Sequence, residues 1–326
     1  MQERQIRETF HSKVVRGISI TLKSKDSTKV RESLPLTQNQ FKKIGIFKCG
    51  NIGTSPLLEL LLDELADRKD IKVRTVTTGS KMGPEDVEEA LPKIFELNPD
   101  LLIVISPNTS LPGPGKVRER IASSGLPGIV ISDAPGKRAK EEIEKQGLGY
   151  IIINGDPLIG ARKQFLDPIE MALFNSNISK VLAITGVYRI VQQEIDNVVY
   201  AIENGQKPDL PKLIVSLKVV RDRCEFSNPY AKAKAIAAYG LAEKIAEINV
   251  QACFMEKESE KYIPLVTCAH EIAQAAARLA EEAREIEKGN DTVMRKPHSK
   301  SGKVKIKTKL MLAPVSAEEF YDEKVS

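Results

Sequence analysis

From Phe41 to Ile153 the chain alternates short, nearly continuous apolar runs with segments of helical periodicity, and that alternation constrains the fold more than any other feature. The runs Ile44–Lys48, Val73–Thr77, Leu101–Ser106, Ile129–Ser132 and Tyr150–Ile153 predict strands. The stretches Thr54–Ala66, Pro84–Glu96, Gly115–Ser123 and Lys137–Gln146 predict helices between them. Strands apolar on both faces belong in a parallel sheet covered on both sides. The expected class is α/β, a Rossmann-related parallel sheet domain followed by a helix-bundle domain and a short C-terminal β segment.

Each strand runs into turn residues, and in an open parallel sheet such turns share the carboxyl edge and build one ligand crevice. The first, Lys43 to Pro56, reads KIGIFKCGNIGTSP. It predicts a strand, a glycine turn at Gly50 and Gly53, and a helix capped by Thr54 or Ser55 with Pro56 in its first turn. Gly50 and Gly53 supply half of a dinucleotide fingerprint, which a purely steric need for glycine also explains. A nicotinamide site needs an acid at the end of the second strand, about 20 to 30 residues on. Thr78-Gly79-Ser80-Lys81 stands there instead, which disfavours NAD. No Walker A sequence is present.

The second half changes character. Asp156-Pro157, Asp167-Pro168 and Asn228-Pro229 each read as an N-cap followed by a first-turn proline. Helices are expected at Pro168–Ile184, Val187–Asn204, Pro229–Ile248 and Ala269–Lys288, and the alanines of the third permit close packing in a bundle or between subunits. Lys303–Lys309 has strand alternation, its lysines on a solvated face. The expected parts are a basic extension (1–40), an α/β cofactor-binding domain (41–165), a helix bundle (166–290) and a C-terminal β segment with tail (291–326).

Charge is unevenly placed. Residues 1–43 carry ten Lys/Arg against four Asp/Glu, whereas the rest carries 39 against 40. With no Trp and 5% aromatic residues, stacking on bases has little to work with, so nucleic acid is not an expected partner. No apolar run approaches a membrane span. Four scattered cysteines and three distant histidines form neither a disulfide framework nor a zinc cluster, so no metal is expected and a reducing cytoplasm is.

The motifs KCGNIGTS, SPNTSLPGPGKVRE, DAPGKRAK, GLGYIIINGDPLIGARKQFLDPIEMALFN, VLAITGVYRIVQ, SNPYAKAKA and AHEIAQAAARLAEEAREIEKGNDTVMRKPH together resemble the coenzyme F-420-dependent methylenetetrahydromethanopterin dehydrogenases of methane-cycling archaea. The resemblance runs from about Lys43 to about Pro314. It implies hydride transfer between the deazaflavin coenzyme F-420 (8-hydroxy-5-deazaflavin), a dissociable cosubstrate, and a tetrahydromethanopterin-type carrier, in a homohexamer built as a trimer of dimers. The chain departs from the family pattern at Ile105-Ser106, Thr109-Ser110-Leu111 and Asn154-Gly155.

For the cofactor, the turn residues nominated are Gly50, Asn51, Ile52, Gly53, Gly79, Lys81, Ser106, Asn108, Asp133, Ala134 and Pro135. No catalytic acid–base residue is nominated, because direct hydride passage needs alignment and electrostatics rather than a proton relay. A neighbouring carboxylate would favour the cationic methenyl state. His270 reads as a structural histidine. Two alternatives stay open: a paralogue acting on another one-carbon pterin carrier, and a non-catalytic ligand-binding protein on the same scaffold.

Overall fold

A computed structural model describes residues 41–157 and 167–322. The extension 1–40, the segment 158–166, where the helix expected after Asp156-Pro157 would begin, and the last four residues lie outside them. Six parallel strands form one sheet in the order β2-β1-β3-β4-β5-β6. They are β1 (Lys42–Lys48), β2 (Ile71–Thr77), β3 (Leu101–Ser106), β4 (Gly128–Asp133), β5 (Gly149–Ile153) and β6 (Lys212–Val215). The chain moves outward from β1 to β2 and then returns to β3 on the other side of β1. The strand order therefore reverses between β1 and β3, and a ligand crevice opens beyond such a point.

Alternation along the strands assigns the two faces. Ile44, Ile46, Ile103, Ile105, Ile129, Ile131, Ile151 and Ile153 point to one side. That side is covered by α1 (Leu58–Leu62), α5 (Pro168–Ile184), α6 (Val187–Glu203) and parts of α8 (Pro229–Val250) and α9 (Ser259–Gly289). Phe47, Leu102, Val104, Val130 and Ile152 point to the other, under α2 (Pro84–Phe95), α3 (Pro112–Ser124) and α4 (Lys140–Lys145).

β6 is absent from the sequence reading. It is only KLIV, and it follows two helices of bundle character. It pairs with β5 from Tyr150↔Lys212 to Ile153↔Val215 and leads through Ser216 into α7 (Leu217–Arg223). One hydrophobic core joins the sheet to α5, α6, α8 and α9.

Local chemistry accounts for the helix ends. Asp167 accepts from Ile169 N (2.7 Å) and Glu170 N (3.1 Å), and Asn228 from Tyr230 N (2.9 Å) and Ala231 N (3.3 Å), as their cap-proline pairs predict. Ala231, Ala235, Ala238 and Ala242 of α8 form a fully buried stripe against Ala276, Ala280 and Ala283 of α9. The small side chains thus serve packing within the bundle. α9 begins ten residues before the expected Ala269, carrying Pro264 in its second turn.

Two expectations fail. The first helix does not start at Thr54: turns occupy residues 53–57, and α1 has Leu57 as an N-cap without a side-chain bond. It ends at Leu62, whose carbonyl accepts from Arg68 Nη1. The C-terminal segment is held by single antiparallel bridges, Arg295↔Lys307, His298↔Val304 and Ile306↔Val315, rather than by a regular strand at Lys303–Lys309. Ile306 alone of that stretch is buried. A final helix, α10, spans Ala317–Asp322.

Candidate active-site crevice at the carboxyl edge

The turn after β1 is closed by a residue from the turn after β5. Asp156, fully buried, accepts from Gly53 N (2.8 Å), Thr54 N (2.8 Å) and Thr54 Oγ1 (2.6 Å). Three donors on one carboxylate favour its charged form, while burial opposes it and raises the carboxyl above its ordinary range. Thr54 is thereby committed to Asp156 and not to a helix cap. Ser55 Oγ donates to Ile52 O instead of capping. From α6, Tyr188 Oη donates to Gly53 O (3.3 Å).

The β5 and β6 ends are tied to α8. Tyr239 Oη accepts from Gly155 N (3.1 Å) and donates to Val215 O (2.7 Å). Glu243 Oε1 accepts from Asn154 Nδ2 and Leu217 N, each at 3.1 Å. A Cβ on Gly155 would stand 2.5 Å from the Tyr239 ring, so this turn admits only glycine.

The nominated residues separate into a rim and a floor. Asn51, Asn108, Ala134 and Pro135 are half-buried at the rim; Gly79 and Lys81 are exposed there. The Lys81 side chain is 76% exposed with its ammonium 3.8 Å from Asp86, which leaves it free to reach an anionic ligand. Asn108 Oδ1 accepts from Ser110 N (3.1 Å) and Ser110 Oγ (2.5 Å), fixing the third loop.

Gly50, Ile52, Gly53, Ser106 and Asp133 are buried beneath. Ile52 lies in the core and offers a ligand no side chain. The two turn glycines answer to the protein's own packing. A Cβ on Gly53 would meet Asp156 Oδ1 at 2.8 Å, and Gly50, at φ +86°, has Met82 Sδ at 2.7 Å and Pro107 Cδ at 2.9 Å from the same position. Sequence reasoning nominated both glycines for the cofactor and left a purely steric need open. It missed Asp156 as a clamp, and with it Tyr188, Tyr239 and Glu243, since nothing local marks residues that meet across about 100 positions.

Buried side-chain oxygens with no protein partner among the described residues gather at this edge: Thr109 Oγ1 beyond β3, both carboxyl oxygens of Asp133 at the end of β4, and Asn154 Oδ1 beyond β5. Orphaned buried polar atoms are rare in folded proteins, and three adjacent strand ends carrying them mark a place built to meet a polar ligand. Asp133 precedes a 3₁₀ turn over Ala134–Ala139, yet its side chain caps none of that turn's amides. Burial, and then the charge of Asp156, push its carboxyl well above the ordinary range, its own amide opposing weakly. Cys49, also buried at the β1 end, has its thiol pushed up to about 11 by burial and so presents no thiolate nucleophile at neutral pH. Another cavity, lined by Leu61, Tyr188, Arg189, Arg223, Glu225 and Met294, has no orphaned buried atom in its walls.

The histidines lie elsewhere. His270 packs on the Phe174 ring (centroids 4.7 Å) with Glu170 at 3.9 Å. His298 is buried between two carboxylates, Nδ1 at 2.7 Å from Glu64 and Nε2 at 2.9 Å from Asp196. Among the described residues no cluster of His, Cys, Asp and Glu is arranged to hold a metal ion.

Residues 42–315 match the family described as methylene-5,6,7,8-tetrahydromethanopterin dehydrogenase. The chain is 54% identical over 272 residues to an F420-dependent methylenetetrahydromethanopterin dehydrogenase from Methanothermobacter thermautotrophicus, a match covering 83% of this chain and 99% of that one. It is 56% identical over 272 residues to the protein of the same description from Archaeoglobus fulgidus, covering 83% and 98%. A solved structure of an F420-dependent methylene-tetrahydromethanopterin dehydrogenase, in complex with methylene-tetrahydromethanopterin and coenzyme F420, superposes with TM-score 0.82 at 46% identity, covering 84% of this chain and all of that one.

Proposed function

This chain belongs to the methylene-tetrahydromethanopterin dehydrogenase family, and from that premise we propose that its carboxyl-edge crevice is where it exchanges a hydride between coenzyme F-420 and a tetrahydromethanopterin one-carbon carrier. The chain is an F-420-dependent methylenetetrahydromethanopterin dehydrogenase, an oxidoreductase of one-carbon metabolism. The observation that carries the site is the row of orphaned oxygens on Thr109, Asp133 and Asn154.

These residues fit a flat heterocycle rich in carbonyl and ring N–H groups, which offers both donors and acceptors to orphaned oxygens. The deazaflavin supplies hydride chemistry at its ring carbon. The protein's part is alignment: Asn51 and Asn108 at the rim to hold the ring, Ala134 and Pro135 to pack against it, and the Lys81 ammonium to meet the anionic tail. The Asp156 clamp and the Tyr239 and Glu243 ties keep the turns at fixed spacing. No general acid or base is needed at the carbon that gives or takes the hydride.

The assembly we propose is the homohexamer that the family resemblance implies, and the exposed run Leu310-Met311-Leu312, with Ile169 and Leu173 of α5, supports burial between copies. A cytoplasmic setting fits four cysteines that form no disulfide among the described residues. Among the described residues no helix is long and apolar enough to cross a membrane. The test is spectrophotometric. Methylene-tetrahydromethanopterin should bleach oxidised F-420 in the presence of the protein, and NAD should show no reduction. Turnover with NAD and none with F-420 overturns the assignment.

A further inference from the structure

Asp133 is a carboxylic acid placed where most proteins would not leave one. It is fully buried at the end of β4, and among the described residues neither oxygen has a protein partner. By strand alternation it shares the face of Ile129 and Ile131, the side covered by α5 and α6. Ser132, on the opposite face, accepts from Thr109 N at 3.4 Å. The titratable groups around this corner are Asp156 from the β5 turn, Tyr188 from α6, and Tyr239 and Glu243 from α8. Burial, before any other cause, keeps both phenols protonated. No cation is paired with either aspartate among the described residues. Asp156 has three donors and Asp133 none, so when the two carboxyls share one charge, it rests on Asp156 and the proton on Asp133.

Resting on the reading that this crevice takes the pterin carrier, whose oxidised methenyl form is a cation and whose reduced methylene form is not, we infer that Asp133 is a proton-linked counter-charge: it is neutral in the empty protein and ionises when the methenyl cation binds. The step is an acid dissociation. The Asp133 O–H bond breaks, its proton leaves to solvent, and the carboxylate remains beside the bound cation with no covalent bond formed. The neutral methylene form gives the carboxyl no reason to ionise, so the two substrate states differ by one released proton. Asp133 would thereby set how firmly the oxidised state is held relative to the reduced one.

The experiment measures binding of methenyl- and of methylene-tetrahydromethanopterin to the full-length protein by calorimetry, across mildly acidic to neutral pH and in buffers of different ionisation heat. Methenyl affinity should rise about tenfold per pH unit, with one proton released per site, while methylene affinity stays flat. In Asp133→Asn both should be flat, and the preference for the cation should fall about tenfold or more. A flat methenyl profile in the unsubstituted protein, or the same slope in Asp133→Asn, overturns the inference. If neither pterin binds a folded protein, the site reading falls and the inference with it. Should Asp133→Asn not fold, infrared difference spectra of the unsubstituted protein decide: the band of a buried protonated carboxyl must vanish on adding the methenyl form, and its persistence overturns the proposal.

Discussion

The bond between Thr54 and Asp156 is the most exposed part of this account, because it makes the shape of the crevice depend on two residues 102 positions apart. Thr54→Val removes the 2.6 Å hydroxyl donor but keeps the backbone donors of Gly53 and Thr54. A hydrogen bond to a charged group contributes about 1.5–3 kcal/mol, so the valine should lose roughly that much. Asp156→Asn keeps the shape but turns an N–H₂ toward at least one of the three donors, stranding it at a cost of about 1–3 kcal/mol beyond the lost charge. In the double variant the hydroxyl bond can be lost only once, so the coupling energy from denaturant unfolding should be about 1.5–3 kcal/mol. Hydrogen exchange gives the local readout: the Gly53 and Thr54 amides should lose protection in Asp156→Asn well before those of β3. A coupling below about 0.5 kcal/mol would refute the clamp, since independent sites add to within that margin.

Gly53→Ala should lose stability and cofactor affinity together, by about 1–3 kcal/mol of stability, because its Cβ lands 2.8 Å from the clamp oxygen; normal unfolding with selective loss of F-420 binding would instead support ligand approach as the glycine's reason. Lys81→Ala should leave the melting temperature unchanged and weaken F-420 binding by about 1–3 kcal/mol, read from fluorescence titration. For His298, whose raised pKa is opposed by burial and caused by Asp196 and then Glu64, the docking contribution is present below the ordinary histidine range and lost as pH rises through the folded value. Glu64 is lowered, by the His298 amide first and against its burial, so its contribution is present above the ordinary carboxylate range and lost as pH falls through its folded value. Proteolysis of the 293–315 segment should therefore be slowest between those limits, and His298→Gln should flatten the alkaline limb.

The parallel sheet was legible because its strands are apolar on both faces and end in turn chemistry, and the cap-proline pairs at Asp167 and Asn228 are local signals that local geometry fulfils. β6 was not, since four residues after a bundle helix carry no period to count. Thr54 and Ser55 look like helix caps in sequence, and the structure spends Thr54 on the buried Asp156 carboxylate and Ser55 on the Ile52 carbonyl. Asp133 and Asn108 could be nominated from the open-sheet rule alone. The Tyr239 and Glu243 ties could not, for their partners lie about 25 to 90 residues away. His298 illustrates the same limit: its carboxylate partners, Glu64 and Asp196, come from α1's flank and from α6.

In the proposed reaction the hydride passes directly between carrier and deazaflavin, with no exchangeable proton intervening. Methylene-tetrahydromethanopterin deuterated at its one-carbon unit, turned over with oxidised F-420 in ordinary water, tests it by mass spectrometry of the reduced deazaflavin. One deuterium should appear on the deazaflavin ring and none in the solvent, in the unsubstituted protein and in whatever turnover Asp133→Asn retains. Deuterium appearing in the water, or an unlabelled deazaflavin product, would contradict it.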